Sequence, residues 1–383
     1  MGDPGLISDE MGRLFGPEGR VAALLEVEAA LAESQAELGL IPTASAAAIG
    51  AACREPGIDA EAVLARGWEE GTPMLPLLDE VGSRLSEEHR RYLHWETTTQ
   101  DIVDTALVWT ASGAIHLLMR DLIDAGDQCS RLAAHHVHTW MTGRSFLQAA
   151  RPTTFGARAA LWLDSVTKRL RDLDTTRGAL AVQMGGPVGL GSGMEGRSRE
   201  VASELAGRLG LGASEVPWQS DREPVVSLGA TVAGVARTAE KIAADLMALA
   251  QTEVAEISMR PGGSTAMTHK ANPVDAMRVL AATRIAVAAA AGLLTGPPPR
   301  LERDGGAWQA EWHLVSDVFG ATAVSVQAVN RALATAEVDA SRMEANLEDS
   351  LGGGRPESGE VDSLVAAAVS EFEKTRSSLA SGG

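Results

Sequence analysis

The sequence predicts an all-α protein built as a bundle of long helices, and three observations carry the prediction. Proline-free stretches rich in Ala, Leu, Glu and Arg dominate the 383 residues, and these are strong helix formers. Alternating Val/Ile/Tyr/Phe runs are almost absent from a chain with only 5 Phe, 1 Tyr and 8 Trp, so half-buried strands have little to be made from. Three segments, Asp101–Thr142, Thr153–Gly186 and Ser227–Arg260, run without proline after their first turn. Each exceeds about 30 residues, longer than the usual globular helix.

The first helix is expected from about Arg20, because Val21, Leu24, Leu31 and Leu38 share one helical face and Gly39 with Pro42 marks its end. A short helical region follows to about Glu88. The three long segments come next, each roughly 45 Å or more if continuous. Helices of that length cannot cover their apolar faces within one small subunit, which predicts a homo-oligomer. Pro273 at a first-turn position opens a further helix to about Leu294, and another spans Glu311 to about Ala336, with Gly296-Pro297-Pro298-Pro299 breaking between them. Gly352–Glu360 reads as a linker before a last amphipathic helix, Val361–Leu379. The expected organisation is an N-terminal helical domain over 1–95, a central long-helix domain over 96–337 and a C-terminal helical segment over 338–383.

Composition removes several function classes. A net charge of −18 repels polyanions, so nucleic acid and acidic membrane are poor partners. The longest apolar run, Ile285–Leu294, is half of what a membrane span needs, and the start, Met1–Ile7, lacks the basic and apolar parts of a secretory signal. The cytoplasm is the expected compartment. Cys53 and Cys129 show no metal or disulfide spacing and are expected to be buried small apolar residues.

Three polar clusters sit where long helices begin or end. Thr97-Thr98-Thr99-Gln100-Asp101 opens the first long helix, where hydroxyls cap and neighbouring amides favour an anion. Capping alone would account for one such residue. Gly143–Gln148, running into Pro152-Thr153-Thr154, is a polar turn with two arginines, Arg144 and Arg151, either of which can grip a carboxylate in forked geometry or simply be solvated. Pro261–Pro273 is a glycine-rich loop carrying hydroxyls, His269, Lys270 and Asn272, which suits a mobile polar lid. Lys270 is one of only four lysines among 33 basic side chains. Two other patterns carry less. His135, His136 and His138 on one helix point in different directions, so they are read as surface residues and no metal is expected. Gly189, Gly191 and Gly193 follow no strand and no acidic residue is placed for a ribose, which argues against a dinucleotide site.

These clusters resemble the three signature regions of the fumarase/aspartase superfamily, which includes adenylosuccinate lyase, argininosuccinate lyase and 3-carboxy-cis,cis-muconate cycloisomerase. The third cluster resembles its GSSxMPxKxNP loop; His94-Trp95 before the first cluster, QAARPTTFG over 148–156 and GAWQAEW over 306–312 are most similar to the carboxymuconate cycloisomerase branch. The resemblance covers roughly Arg20–Asn346. It implies a homotetramer whose long helices form a twenty-helix core, active sites assembled from three subunits, and no cofactor. It also implies the chemistry: a proton leaves the carbon beside a substrate carboxylate, the carbanion drains into that carboxylate, and a group departs from the neighbouring carbon. By resemblance, Ser264, Thr265, Lys270 and Glu96 are the catalytic candidates, and His94, Thr98, Thr99, Gln148, Arg151, Thr153, Met267, His269 and Asn272 bind a small carboxylate substrate.

Departures bear on the substrate. Thr265 stands at the usual proton-abstracting serine while Ser264 keeps the first hydroxyl, Phe146 replaces a histidine acid found in other lyases, and Thr268 replaces the loop proline. Glu96 stands where the superfamily usually has glycine and Arg151 where it has an apolar residue. Both are expected to reshape the pocket, Glu96 as a general acid or as a grip on a cationic group. The region after about Val338 is shorter than the C-terminal domain of longer members. Two activities are compatible with this pattern: intramolecular addition and elimination on a polycarboxylate, as in the cycloisomerases, and β-elimination of an amine, nitrite or similar group from a substituted succinate to leave fumarate. A non-catalytic scaffold is a third reading, which the joint presence of Ser264, Lys270, Asn272 and Gln148 opposes.

Overall fold

A computed structural model describes residues 8–191, 193–262, 271–355 and 359–381. The chain begins with six helices, α1 (Asp9–Phe15), α2 (Pro17–Glu37), α3 (Thr43–Arg54), α4 (Ala60–Glu69), α5 (Met74–Ser83) and α6 (Glu87–Arg90). α7 (Thr99–His135) leads through a hairpin, β1 (Trp140–Ser145) and β2 (Gln148–Thr154), into α8 (Phe155–Ala179). A two-residue strand β3 (Ala181–Val182), α9 (Ser198–Leu209) and a second short strand β4 (Gly212–Ala213) precede α10 (Glu223–Leu249). Strand β5 (Ile257–Ser258), α11 (Val274–Leu294), α12 (Ala307–Ala334), strand β6 (Glu337–Val338), α13 (Ala340–Leu351) and α14 (Gly359–Ser381) complete it.

The all-α bundle is therefore observed, with α7, α8, α10, α11 and α12 as its long members. All three stop short of their expected ends: α7 runs 37 residues and ends at His135, before the expected Thr142, and α8 and α10 stop at 25 and 27. α8 yields to β3, and α10 ends before Ala255, whose φ of 53° no helix tolerates. The polar turn at 143–154 is a correction in kind: it is an antiparallel hairpin, with Phe146 and Leu147 at its tip in the left-handed region at φ 51° and 62°. Gly143 and Pro152 hid these strands, since both are poor strand residues, and Gly143 is required because a Cβ there would lie 2.5 Å from the Arg151 carbonyl oxygen.

The largest apolar core runs the length of the bundle through Val108, Ile115, Leu122, Leu163, Leu170, Val232, Leu246, Phe319 and Val326, all buried. Cys53 and Cys129 are buried thiols in apolar surroundings, and burial pushes both up to about 12. Contacts fix the helix directions. Arg222 at the start of α10 and Glu311 near the start of α12 both meet at the first turns of α7, so these three run together. α8 returns beside α7, and α11 returns beside α10 and α12, where its Leu293 meets Gly229 and its Gly292 meets Leu314.

By length and composition, α7 and α11 are apolar enough to cross a membrane, contrary to the expectation from uninterrupted runs alone. Alanine explains it, raising mean hydropathy while charges remain interspersed. Yet 67% of the apolar stretch of α7 is buried inside the bundle, against only 33% of that of α11. Met277, Val287 and Leu294 lie on its open side.

Candidate active site

The first polar cluster forms a densely hydrogen-bonded, buried assembly. Asp101, in the first turn of α7, is completely buried and accepts from the amides of Gly185 at 2.8 Å and Gly186 at 3.0 Å, from Gln183 Nε2 at 3.3 Å, from the Thr98 amide at 3.3 Å and from Thr97 Oγ1 at 3.1 Å. Burial pushes its carboxyl above the usual range, and these hydrogen bonds work against that rise. One turn further, Asp104 accepts from Trp308 Nε1 at 2.9 Å, Gln100 Nε2 at 3.1 Å and both terminal nitrogens of Arg222. Arg222 also pairs with buried Glu311 and lies over the Trp218 ring at 5.1 Å. Burial opposes its charge, but the two carboxylates hold the guanidinium firmly protonated. Burial raises the Glu311 carboxyl, with Arg222 acting in the opposite direction.

This network has a working end. Gln100, held by Asp104 and by the Gln219 carbonyl at 2.9 Å, presents Oε1 to Arg303 Nε at 2.9 Å, while Arg303 Nη1 donates to Thr98 Oγ1 at 3.1 Å. Arg303 is exposed and its two bonds go to neutral oxygens, so its charge is available to a carboxylate at the N-terminus of α7. Thr99 is the first residue of α7 and half-buried.

The turn before the cluster is pinned from α2. His94 Nδ1 lies 2.5 Å from Oε1 of Glu28, which is 2% exposed, and Gln35 Nε2 donates to the Trp95 carbonyl at 2.9 Å. Burial would lower the imidazole, but the Glu28 carboxylate outweighs it and holds His94 above its ordinary 6.5. His94 and Glu96 adopt left-handed backbone, φ 55° and 51°. Glu96 is exposed, and its carboxyl rests against Gly193, where a Cβ would lie 2.2 Å from Glu96 Oε2. Gly193 thus borders this end, while Gly185 and Gly189 lie against Gln219 and Gly191 against Ser198.

The other candidates lie at the far end of α7. Gln148 and Arg151 are exposed on β2, and Thr153 lines a groove with Arg158, Trp162, Lys241 and Asp245. Arg144, offered as a carboxylate grip, is instead committed to Glu256 in a forked pair at 2.7 and 3.0 Å, tying the hairpin to the segment that precedes the glycine-rich loop. Asn272 closes that loop's base, its backbone pairing with Gly262. Ser264, Thr265, Met267, His269 and Lys270 lie outside the described residues. The three histidines each have a separate partner, Arg131 O, Thr139 Oγ1 and Asp362. Within one chain, then, the structure gathers His94, Glu96, Thr98 and Thr99 at one end of a 37-residue helix and Gln148, Arg151, Thr153 and Asn272 near the other, about 55 Å away.

Comparison with known proteins gives the family. A family model described as lyase matches residues 7–286. The chain belongs to the fumarase/aspartase superfamily of lyases. Among curated superfamily members it is 34% identical over 340 residues to 3-carboxy-cis,cis-muconate cycloisomerase of Bradyrhizobium diazoefficiens, covering 86% of this chain and 75% of that one. It is also 34% identical over 343 residues to nitrosuccinate lyase of Streptomyces davaonensis, covering 86% and 72%. A solved superfamily structure, the 3-carboxy-cis,cis-muconate lactonizing enzyme from Pseudomonas putida, superposes with a TM-score of 0.89 at 28% identity, covering 97% of this chain and 98% of the other. This chain is thus a superfamily enzyme of the lyase/cycloisomerase kind.

Proposed function

We propose that the enzyme acts on a small polycarboxylate by cycloisomerase-like intramolecular addition and elimination through a carboxylate-stabilised carbanion. The observation that carries this reading is the Arg303–Thr98–Gln100 cluster at the N-terminus of α7, a fixed positive site backed by a buried network. Removing a proton beside a carboxylate piles a second negative charge onto that carboxylate, and preoriented donors that meet the new charge lower the barrier. In this reading Arg303 and Thr98 receive the enolate-like oxygens, Ser264 or Thr265 takes the proton, and Lys270, Asn272 and Gln148 hold the remaining polar groups.

The two ends of α7 meet only if chains are combined. We therefore assign a homotetramer in which the hairpin and loop of some subunits reach the α7 N-terminus of another, and the open face of α11 supports it. Only 33% of the apolar stretch of α11 is buried within one chain, and Met277, Val287 and Leu294 lie exposed on it, apolar surface that a neighbouring subunit would cover. In this reading the enzyme works in the cytoplasm.

A second reading is favoured by the likeness to nitrosuccinate lyase: β-elimination from a substituted succinate to give fumarate. Proton NMR in heavy water with 3-carboxy-cis,cis-muconate and a panel of substituted succinates tests both. Deuterium uptake or turnover is expected with at least one compound, and growth of the fumarate absorbance band selects elimination. Arg303→Gln is expected to lower kcat/KM by about 100-fold while leaving helix content and particle mass unchanged. An unimpaired Arg303→Gln, or inertness toward the whole panel, overturns the reading.

A further inference from the structure

Arg20, near the start of α2, is sheltered without a counter-charge. Its guanidinium donates to no acceptor among the described residues, and burial pushes it below its ordinary value with no carboxylate acting in the other direction. Arg222 differs, being clamped between Asp104 and Glu311. The charge of Arg20 is felt across the gap to α12, where it adds to burial in holding His313 below 6.5.

Arg20 lines a half-open cavity together with Thr110 of α7 and Trp312 of α12, and the rest of the wall is apolar, including Phe15, Leu24 and Val103. Trp312 is 6% exposed, and its Nε1 is a buried donor with no hydrogen-bond partner. The hydroxyl of Thr110, also buried, has no partner among the described residues. A donor left unpaired in a protein interior is destabilising unless something in the space beside it accepts. The cavity offers about 40 Å³ to the centres of water-sized groups, enough for about three waters or for one carboxylate group. Water would satisfy the indole and the hydroxyl, yet it leaves the guanidinium uncompensated. A small anion satisfies all three.

We infer that this cavity binds a small monocarboxylate, of the size of acetate or propionate, at a site separate from the catalytic cluster. The carboxylate oxygens accept from Arg20, Trp312 and Thr110, and the short alkyl tail meets the apolar wall. Arg20 is the one charged residue on that wall, so a second carboxylate finds no cation there and dicarboxylates are disfavoured. Arg303, Thr98 and Gln100 do not line the cavity, and the inference goes beyond the reading of Arg303 without resting on it. Trp312 does stand edge-on to Trp308 at 5.0 Å, and Trp308 Nε1 donates to Asp104, so the occupant lies one ring away from the network behind Arg303.

Fluorine NMR of the full chain labelled with 5-fluorotryptophan tests this, with Trp312→Phe assigning one resonance among the 8 tryptophans. At fixed ionic strength in chloride, propionate is expected to shift the Trp312 resonance saturably. Propionamide, which keeps the shape without the charge, and malonate, which adds a second carboxylate, are each expected to bind at least about tenfold more weakly. Arg20→Met, which keeps the stem, is expected to weaken propionate by a similar factor, while Arg303→Gln leaves it unchanged. Circular dichroism of each variant checks the fold, and the wild-type comparison of propionate with propionamide and malonate stands whatever the variants do. No saturable shift, a shift shared by propionamide or by chloride as an adventitious ion only, or a preference for malonate overturns the proposal. So does binding indifferent to Arg20→Met. Loss of the shift in Arg303→Gln seats the carboxylate in the catalytic cluster, which overturns the separate site and leaves the reading of Arg303 standing.

Discussion

Glu28 shows how one buried side chain sets the charge state of another. Its carboxylate, 2.5 Å from His94 Nδ1, raises the imidazole above its ordinary 6.5 despite burial. A proton that binds more tightly in the folded chain stabilises it. That contribution is fully present below 6.5, the value in the unfolded chain, and is lost as pH rises through the higher folded value. Glu28→Gln is therefore expected to cost on the order of 1–2 kcal/mol near pH 5.5 and clearly less near pH 9. Urea unfolding at the two pH values and one protein concentration checks it; equal costs mean that His94 is neutral in the folded enzyme. The sequence placed His94, Thr98 and Thr99 in one stretch, and they do lie together. It was silent on Arg303, Arg222 and Glu311, because Arg303 reaches Thr98 across 205 positions and Arg222 reaches Asp104 across 118. Such pairs arise only when the N-termini of α7, α10 and α12 are brought side by side, and no local spacing encodes that. A weak signal existed for Arg303, one of two guanidinium groups, with Arg300, in the polar stretch just before GAWQAEW.

Among the elements, α14 docks on α7 through a contact with no slack. A Cβ on Gly126 would lie 2.2 Å from the Phe372 ring, and Phe372 is 1% exposed. Gly126→Leu is expected to push the ring out and cost about 1–3 kcal/mol as overpacking, and the freed α14 exposes the Gly352–Arg355 connection to protease. Limited proteolysis followed by mass spectrometry reads this out, and an unchanged cleavage rate shows that α14 docks through other contacts. The helices were legible because alanine-rich, proline-free sequence with periodic apolar residues has few other ways to fold. The hairpin was not, since Phe146 and Leu147 are poor residues for left-handed backbone and neither announces a tight turn. Its register is held instead from outside, by Arg144 on Glu256 and by Thr142 Oγ1, 2.9 Å from Ser350 Oγ on α13.

For the whole molecule, the decisive dimension is the length of α7. Its 37 residues keep the Arg303–Thr98 cluster about 55 Å from the hairpin and the base of the glycine-rich loop, so a chain damaged at one end retains a sound opposite end. In the proposed tetramer, each catalytic centre draws its parts from different copies, and a lesion is a property of a corner rather than of a polypeptide. Arg303→Gln and Gln148→Ala chains, each expected to be nearly inactive alone, should regain roughly a quarter of wild-type turnover when unfolded together and reassembled, because random pairing leaves that share of centres with both parts intact. Recovered activity after mixing, measured against each variant reassembled alone, checks it. Two inactive genes would then make one working enzyme, and a damaged allele would be judged by the company of the other.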